Sequence, residues 1–232
     1  VLLFDYAFYA SAGTIALIIA VVGFVAYKTG QFGGGDVLLL LGIHLLLPVN
    51  PQVQYAVYPF VLSVLVAATF FDSAGSAVWY AKRLWEEKKL VGTKIWLVLA
   101  AITAVAGLIV FLPVFTATKA KLILIALSTS TIFLMSFRAE LNQVIIKRIS
   151  IKEVEDEDIL ALEEMPAGLV KKYSLGKVLT KSEVEKLKKI EEKEGMRRFP
   201  VYKELPRFGP YLLAGLLVSL AVGDLVAFVF FK

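Results

Sequence analysis

The sequence predicts an all-α fold: a polytopic transmembrane helical bundle with a small cytoplasmic α-helical lobe. Three observations carry that prediction. The 232-residue chain is 58% hydrophobic and only 19% charged, with a mean hydropathy of +0.75, whereas soluble domains run nearer half apolar and about a quarter charged. Apolar runs of about twenty residues recur, each long enough to cross a hydrocarbon core, and they are continuous rather than alternating, which argues against a closed barrel. One stretch, 138–206, breaks the pattern with dense charge.

Six apolar segments follow from the runs. The first covers about 9–28 and ends at Tyr27-Lys28. The second, about 36–49, opens on Asp36 and closes at Pro48, and is short for a full crossing. The third, fourth and fifth cover about 55–80, 95–112 and 119–137, and the sixth about 207–231. The organisation is therefore 1–137 as membrane helices, 138–206 as a charged insert and 207–232 as a last membrane helix, with no internal repeat and no low-complexity tract.

The loops orient the bundle. Lys28, then Lys82, Arg83, Lys88, Lys89 and Lys94, then Arg138, Lys147 and Arg148 flank alternate loops, while "PVNPQVQ" and "PVFTAT" carry no charge. Basic residues gather on the cytoplasmic side, so the glycine-rich turn before Asp36, the 82–94 loop and the insert are expected to face the cytoplasm. Within the insert, "LTKSEVEKLKKIEEKEG" reads as a helix, with Thr180 to cap it, Glu183 where a capping box places an acid, and Gly195 to stop it. "KEVEDEDILALEEMP" reads as a second short helix with an acidic start, ended by Pro166.

Composition also excludes function classes. No cysteine is present, which removes thiol catalysis, disulfides and cysteine–metal sites, and a single histidine, His44, cannot build a multi-histidine metal site. A net charge of +5 is no nucleic-acid signature and is better read through its placement beside the spans. The chain begins at Val1 without a methionine and without a charged region or cleavage site of a secretory signal, so further sequence is expected upstream.

The chemistry concentrates in "GQFGGGDVLLLLG", residues 30–42. A carboxylate beside an apolar span is costly and is a functional hypothesis by default. Asp36 at the start of a helix is stabilised by the helix dipole and free amides, so it reads either as a helix cap or as a working acid. Gly33 and Gly35 remove bulk beside it and allow positive φ or close approach of another backbone.

Gly33-x-Gly35-Asp36 opening an apolar helix resembles the GxGD aspartic peptidases of membranes. The stretch "DYAFYASAGTIALIIAVVGFVAYKTGQFGGGD" is similar to the third helix and motif of archaeal preflagellin and type IV prepilin peptidases, and "MPAGLVKKY", "LTKSEVEKL" and "LPRFGPYLLAGLLVSLAVGD" resemble the C-terminal region of archaeal members. The resemblance covers nearly the whole chain. It implies an aspartic endopeptidase that removes leader peptides from prepilin- or preflagellin-like precursors at the cytoplasmic membrane face, with no metal or organic cofactor. Two carboxylates share one proton in such a dyad, because two held close cannot both ionise. Asp36 carries over as one member, and the family's partner lies on the first helix, which is expected upstream of Val1. The family's lysine two residues after the acid is Leu38 here.

Other acids are weighed against that partner. Asp5 and Asp224 lie toward the far face by the loop orientation, and Asp72 in "FFDSAGSA" lies in the cytoplasmic half of the neighbouring segment. Asp72 is either a second catalytic acid or a polar residue satisfied by Ser73 or Ser76 on a small-residue packing face. His44, two turns beyond Asp36, is read as hydrogen-bonded between helices. The acidic run Glu153, Glu155, Asp156, Glu157, Asp158, Glu163 and Glu164 is either a solvated helix start or a reader of basic leaders. A non-catalytic scaffold or chaperone of the same fold, and a small transporter using Asp36, Asp72 and Asp224, are the competing readings. The expected partners are precursor proteins and the lipid membrane, with no nucleic acid and no oligomeric state indicated.

Overall fold

A computed structural model of the chain describes residues 6–49, 51, 58–90, 92–111, 118–155, 157–203 and 205–223. The helical fold expected from the runs is present. Four helices are long and apolar enough to cross a membrane: α1 (Tyr6–Lys28), α3 (Phe60–Glu86), α4 (Thr93–Phe111) and α5 (Thr118–Ser136). The shorter apolar helix α2 (Gly34–Leu46) lies between the first two. After a polar region comes a second short apolar helix, α9 (Gly209–Val222).

Helix α1 is an unbroken apolar run that stops where its last-turn cation, Lys28, meets a glycine able to take positive φ. Gly30 has φ +67°, and the amides of Thr29, Gly30 and Gln31 return to the carbonyls of Val25, Tyr27 and Ala26 at 3.0, 2.9 and 2.9 Å. Those bonds close the exposed carbonyl end as a left-handed glycine cap does. The chain can then reverse into α2, which packs on α1 where Gly23 leaves room for the Val37 side chain.

Helix α3 is the central post, and it packs most extensively on α9. A Cβ on Gly215 would stand 2.7 Å from both the Val64 carbonyl oxygen and the Ala68 amide nitrogen, so the two backbones meet there directly. Small residues at such crossings let membrane helices gain dispersion contact where no hydrophobic drive exists between them. Leu40, Ile43, Phe60, Val61, Val64 and Leu212 close this core from α2, α3 and α9. A separate cluster of Leu84, Val98, Phe137 and Leu141 ties α3 and α4 to α6 (Arg138–Ile145). Beside it Lys94 pairs with Glu140 and sits 4.9 Å from the Phe137 ring centre.

The region 138–206 folds as a lobe with its own core, and it is not purely helical. Besides α6, α7 (Ala167–Tyr173) and α8 (Lys181–Glu194), it holds a three-stranded antiparallel sheet. The strands are β1 (Ile146–Ile149), β2 (Ile159–Leu160) and β3 (Phe199–Tyr202), with β3 in the middle. Ile146 faces Tyr202 in one pairing, and Leu160 faces Val201 in the other. Pro200 is tolerated in the central strand because its missing donor falls where β2 has ended; its carbonyl takes the Ala161 amide at 2.9 Å.

Two local expectations are corrected here. "KEVEDEDILALEEMP" is not a helix: it forms a 3-10 turn at Ile151–Glu153, strand β2 and another 3-10 turn at Leu162–Glu164, and Pro166 precedes α7 rather than ending a helix. Helix α8 has the expected ends, Thr180 and Gly195 at φ +72°, but no capping box. The Glu183 carboxylate instead accepts the Gly176 amide at 2.8 Å and the Lys186 ammonium at 2.7 Å, spending the acid on the preceding loop.

Candidate active site

Asp36 is the third residue of α2, whose N-cap is Gly33. Gly33 has φ −69° and ψ 149°, an extended conformation open to any residue, so the glycine is needed for space rather than for positive φ. A Cβ there would lie 3.2 Å from Asp36 Oδ2, because the carboxylate folds back over the cap. On its other side, a Cβ on Gly209 would lie 3.6 Å from Asp36 Oδ1. Asp36 thus stands between the first turns of α2 and α9. Both N-termini carry partial positive charge that favours a carboxylate, while the apolar helices around them penalise it. Phe32 and Phe208, the residues just before each of these turns, meet edge to face at 5.2 Å and hold the two helix entrances together.

The lobe roofs this point. Asp36 lines a cavity of about 630 Å³ bounded by the 30–35 turn, by Glu155, Glu157 and Asp158 of the lobe, and by the 205–210 entrance to α9. Gly35 also lines the cavity, and a Cβ there would meet nothing within 4 Å. Gly34 is different: its Cβ would stand 3.2 Å from Glu157 Oε1, which also accepts a hydrogen bond from Tyr27 Oη at 3.4 Å. Glu157 reaches over the turn from a left-handed backbone conformation, φ +68°, held by its amide bonding to the Leu179 carbonyl at 3.1 Å. The three glycines therefore differ in what they make room for. Gly33 admits the acid's own carboxylate, Gly34 admits the lobe, and Gly35 opens to the cavity.

The acidic run is divided by its partners. Lys203 Nζ donates to both Asp158 oxygens at 3.0 and 2.7 Å, neutralising that acid. Glu153 accepts from Ser150. Glu163 accepts from Tyr202, and burial and this bond push the Tyr202 phenol up. On Glu163 burial is outweighed by the bond and by nearby cations, which leaves its carboxyl below the ordinary range. Glu155 is 82% exposed and only 3.8 Å from the already engaged Lys203. Glu157 is thus the acid of the run that lines the cavity with no ion pair among the described residues, Glu155 pairs loosely with Lys203, and Arg207 lines the same cavity. Asp156 lies outside the described residues, as do Asp5 and Asp224.

Asp72 is not hydrogen-bonded to Asp36. Its Oδ1 accepts from Ser76 Oγ at 3.0 Å, one of the two arrangements weighed from the sequence. A Cβ on Gly75, one turn from Asp72 along α3, would strike the Tyr211 ring at 2.7 Å. Asp36 thus meets α9 at Gly209, and Gly75 of α3 meets it at the Tyr211 side chain. Among the described residues Asp36 has no carboxylate partner at hydrogen-bond distance. Leu38, where the resembled family has lysine, is 69% exposed; two residues on from Asp36, it points to another side of α2.

Sequence reasoning did not reach Gly209 or Phe208, and it named Glu157 only within the acidic run, not as the neighbour of Gly34 and Tyr27. The "RFGP" before α9 carried a helix-start signal, a proline in the first turn, but nothing local shows that it faces Asp36. Comparison with protein-family models, with curated proteins and with solved structures finds no match for this chain.

Proposed function

We propose that this chain is a membrane-embedded aspartic endopeptidase that removes leader peptides from prepilin- or preflagellin-like precursors at the cytoplasmic membrane face, with Asp36 as one of two catalytic carboxylates. The supporting observation is the position of Asp36: beneath a cavity of about 630 Å³, where the membrane helices meet the lobe. A substrate helix hides its peptide bonds in its own hydrogen bonds, so a cleavable segment must be extended where helix gives way to surface. The Asp36 cavity lies at such a level, and Gly35 leaves open backbone for an extended segment to lie against, as in strand addition.

In this reading one ionised aspartate draws a proton from water, which attacks the scissile carbonyl, while the protonated partner polarises that carbonyl and then protonates the leaving amine. The resemblance assigns the partner to an aspartate preceding Val1. The bond from Ser76 speaks against Asp72 for that role. Glu155 and Glu157, across the cavity from Asp36, would receive the basic leader.

A leader-cleavage assay in membranes tests this, using the full gene product including whatever precedes Val1. Asp36→Asn is expected to abolish cleavage with the protein still inserted. Gly33→Ala should cost at least about tenfold in kcat by pushing the carboxylate aside, whereas Gly35→Ala, with free space for its methyl, should mainly raise KM. Full cleavage by Asp36→Asn would sink the proposal. The absence of a carboxylate beside Asp36 among the described residues favours a second reading, a non-catalytic scaffold or chaperone for the same precursors. Binding of precursor without cleavage by the full gene product would select it.

A further inference from the structure

Two residues beside the Asp36 cavity stay out of its wall, yet both meet the same side chain of the lobe. Tyr27 lies in the last turn of α1 and Gly34 opens α2, and neither lines the cavity. Glu157 does line it. Its Oε1 accepts the Tyr27 Oη hydrogen at 3.4 Å and lies 3.2 Å from where a Cβ on Gly34 would stand. That Cβ would also be 3.5 Å from Tyr27 Cε2, so phenol, glycine and carboxylate converge on one point. Glu157 Oε2 takes no hydrogen bond among the described residues.

The backbone brings Glu157 to this point at a cost. Its φ of +68° is left-handed, a region that residues other than glycine seldom adopt. The Glu157 amide donates to the Leu179 carbonyl at 3.1 Å, and the Leu179 amide returns to the Asp158 carbonyl at 2.8 Å. Lys203 pins the Asp158 side chain in turn. A left-handed residue fixed from both sides at a cavity points to a use for its side chain. The lobe also rests on the turn before α2, where a Cβ on Gly30 would lie 3.5 Å from Ile159 Cγ2 and 3.4 Å from Lys177 Cδ. The Tyr27 bond is therefore not the only contact that seats the lobe.

We propose, resting on the reading above in which Glu157 receives the basic leader, that Tyr27 and Gly34 are positioning residues for its carboxylate. The phenol holds one oxygen at the turn, the missing side chain of Gly34 gives it room, and the other oxygen is left for a lysine or arginine of the leader. A carboxylate held in place beforehand loses less freedom when its cation arrives. The turn that presents Asp36 thereby also sets where the leader's cation sits.

The test uses the full gene product, including whatever precedes Val1, in nanodiscs with a fluorescent leader peptide that contains lysines but no scissile bond. The same peptide with its lysines acetylated is the uncharged control. Glu157→Gln should weaken binding of the lysine peptide about tenfold, because a charge-assisted bond becomes a neutral one. Tyr27→Phe and Gly34→Val should each weaken it about threefold, the size of one net neutral hydrogen bond. In the Glu157→Gln background neither should have a further effect, and the acetylated peptide should respond to none of the three changes. A general loosening of the lobe would instead weaken both peptides in both backgrounds. The proposal is overturned if Glu157→Gln, Tyr27→Phe or Gly34→Val binds as the parent does, if the losses persist in the Glu157→Gln background, or if the parent does not distinguish the two peptides. Cleavage is read separately on a whole precursor. Affinities as expected without cleavage sink only the peptidase reading, and cleavage with unchanged affinities sinks only the positioning.

Discussion

The lobe and the membrane helices bury apolar side chains to different ends. In the lobe, Leu160, Leu179, Leu187, Ile190, Phe199 and Val201 are all completely buried in one continuous core. In α1, one of the long apolar helices, Leu17, Val22 and Phe24 are 57–64% exposed, and nothing in its most apolar window is buried. Water drives the first arrangement, because each buried methylene leaves an aqueous shell. It cannot drive the second, because lipid is as apolar as leucine. The membrane part is held where backbones come close, at Gly215 against Val64 and Ala68, while the lobe is held by volume.

The sharpest break of that contrast is Leu187→Ala against Leu17→Ala. Leu187 is fully enclosed, so truncation removes its transfer energy and leaves a cavity, at a cost of about 4 kcal/mol to the lobe. Leu17 is 64% exposed and should cost less than about 0.5 kcal/mol in a bilayer. Melting curves of the reconstituted protein, followed by lobe-specific proteolysis, measure both. Equal losses would mean that α1 is covered by something other than lipid.

Next in size is Gly215→Leu, which forces a side chain into the α3 backbone and should cost about 3 kcal/mol of bundle stability. Gly107→Leu on α4 is the comparison, since a Cβ there meets nothing within 4 Å and the change should be neutral. Thermal unfolding in detergent separates them, and the lobe core should be untouched by either.

The same contrast explains what could be read in the chain. Membrane helices announce themselves by continuous apolarity, so α1, α3, α4 and α5 follow from their runs with ends shifted by a few residues. Helix α8 was legible because Thr180 and Gly195 mark its two ends, although Glu183 is spent on the preceding loop instead of a capping box. The sheet was not legible. β2 is two residues long, β1 has Lys147 and Arg148 at its centre, and β3 contains Pro200, so none presents the alternation that marks a strand. The pairing of β1 depends on β3, a partner far along the chain. Asp36 stood out because a lone acid on an apolar run is conspicuous, yet its neighbours Gly209 and Glu157 arrive from distant segments and leave no local trace.

The smallest effect concerns the seam between the two regions. Glu140 of α6 takes its hydrogen bond from Lys94 at the start of α4, and that bond holds the carboxyl below its ordinary value of 4.5. A carboxyl with a lowered folded-state pKa binds fewer protons folded than unfolded, so its stabilising contribution is complete above the unfolded value. It is lost as pH falls through the folded value, below about 4.5. The pair is only partly sheltered, with side chains 43% and 26% exposed, so solvent screens most of the gain. Stability of the seam, read as the melting temperature of α6 contacts from neutral pH down to well below the ordinary carboxyl range, should fall slightly with acid. Glu140→Gln should flatten that part of the profile while leaving the Leu84, Phe137 and Leu141 cluster packed. A profile unchanged by Glu140→Gln would place the whole junction on its apolar cluster, making the seam an extension of the lobe's mode of stability rather than a charged hinge.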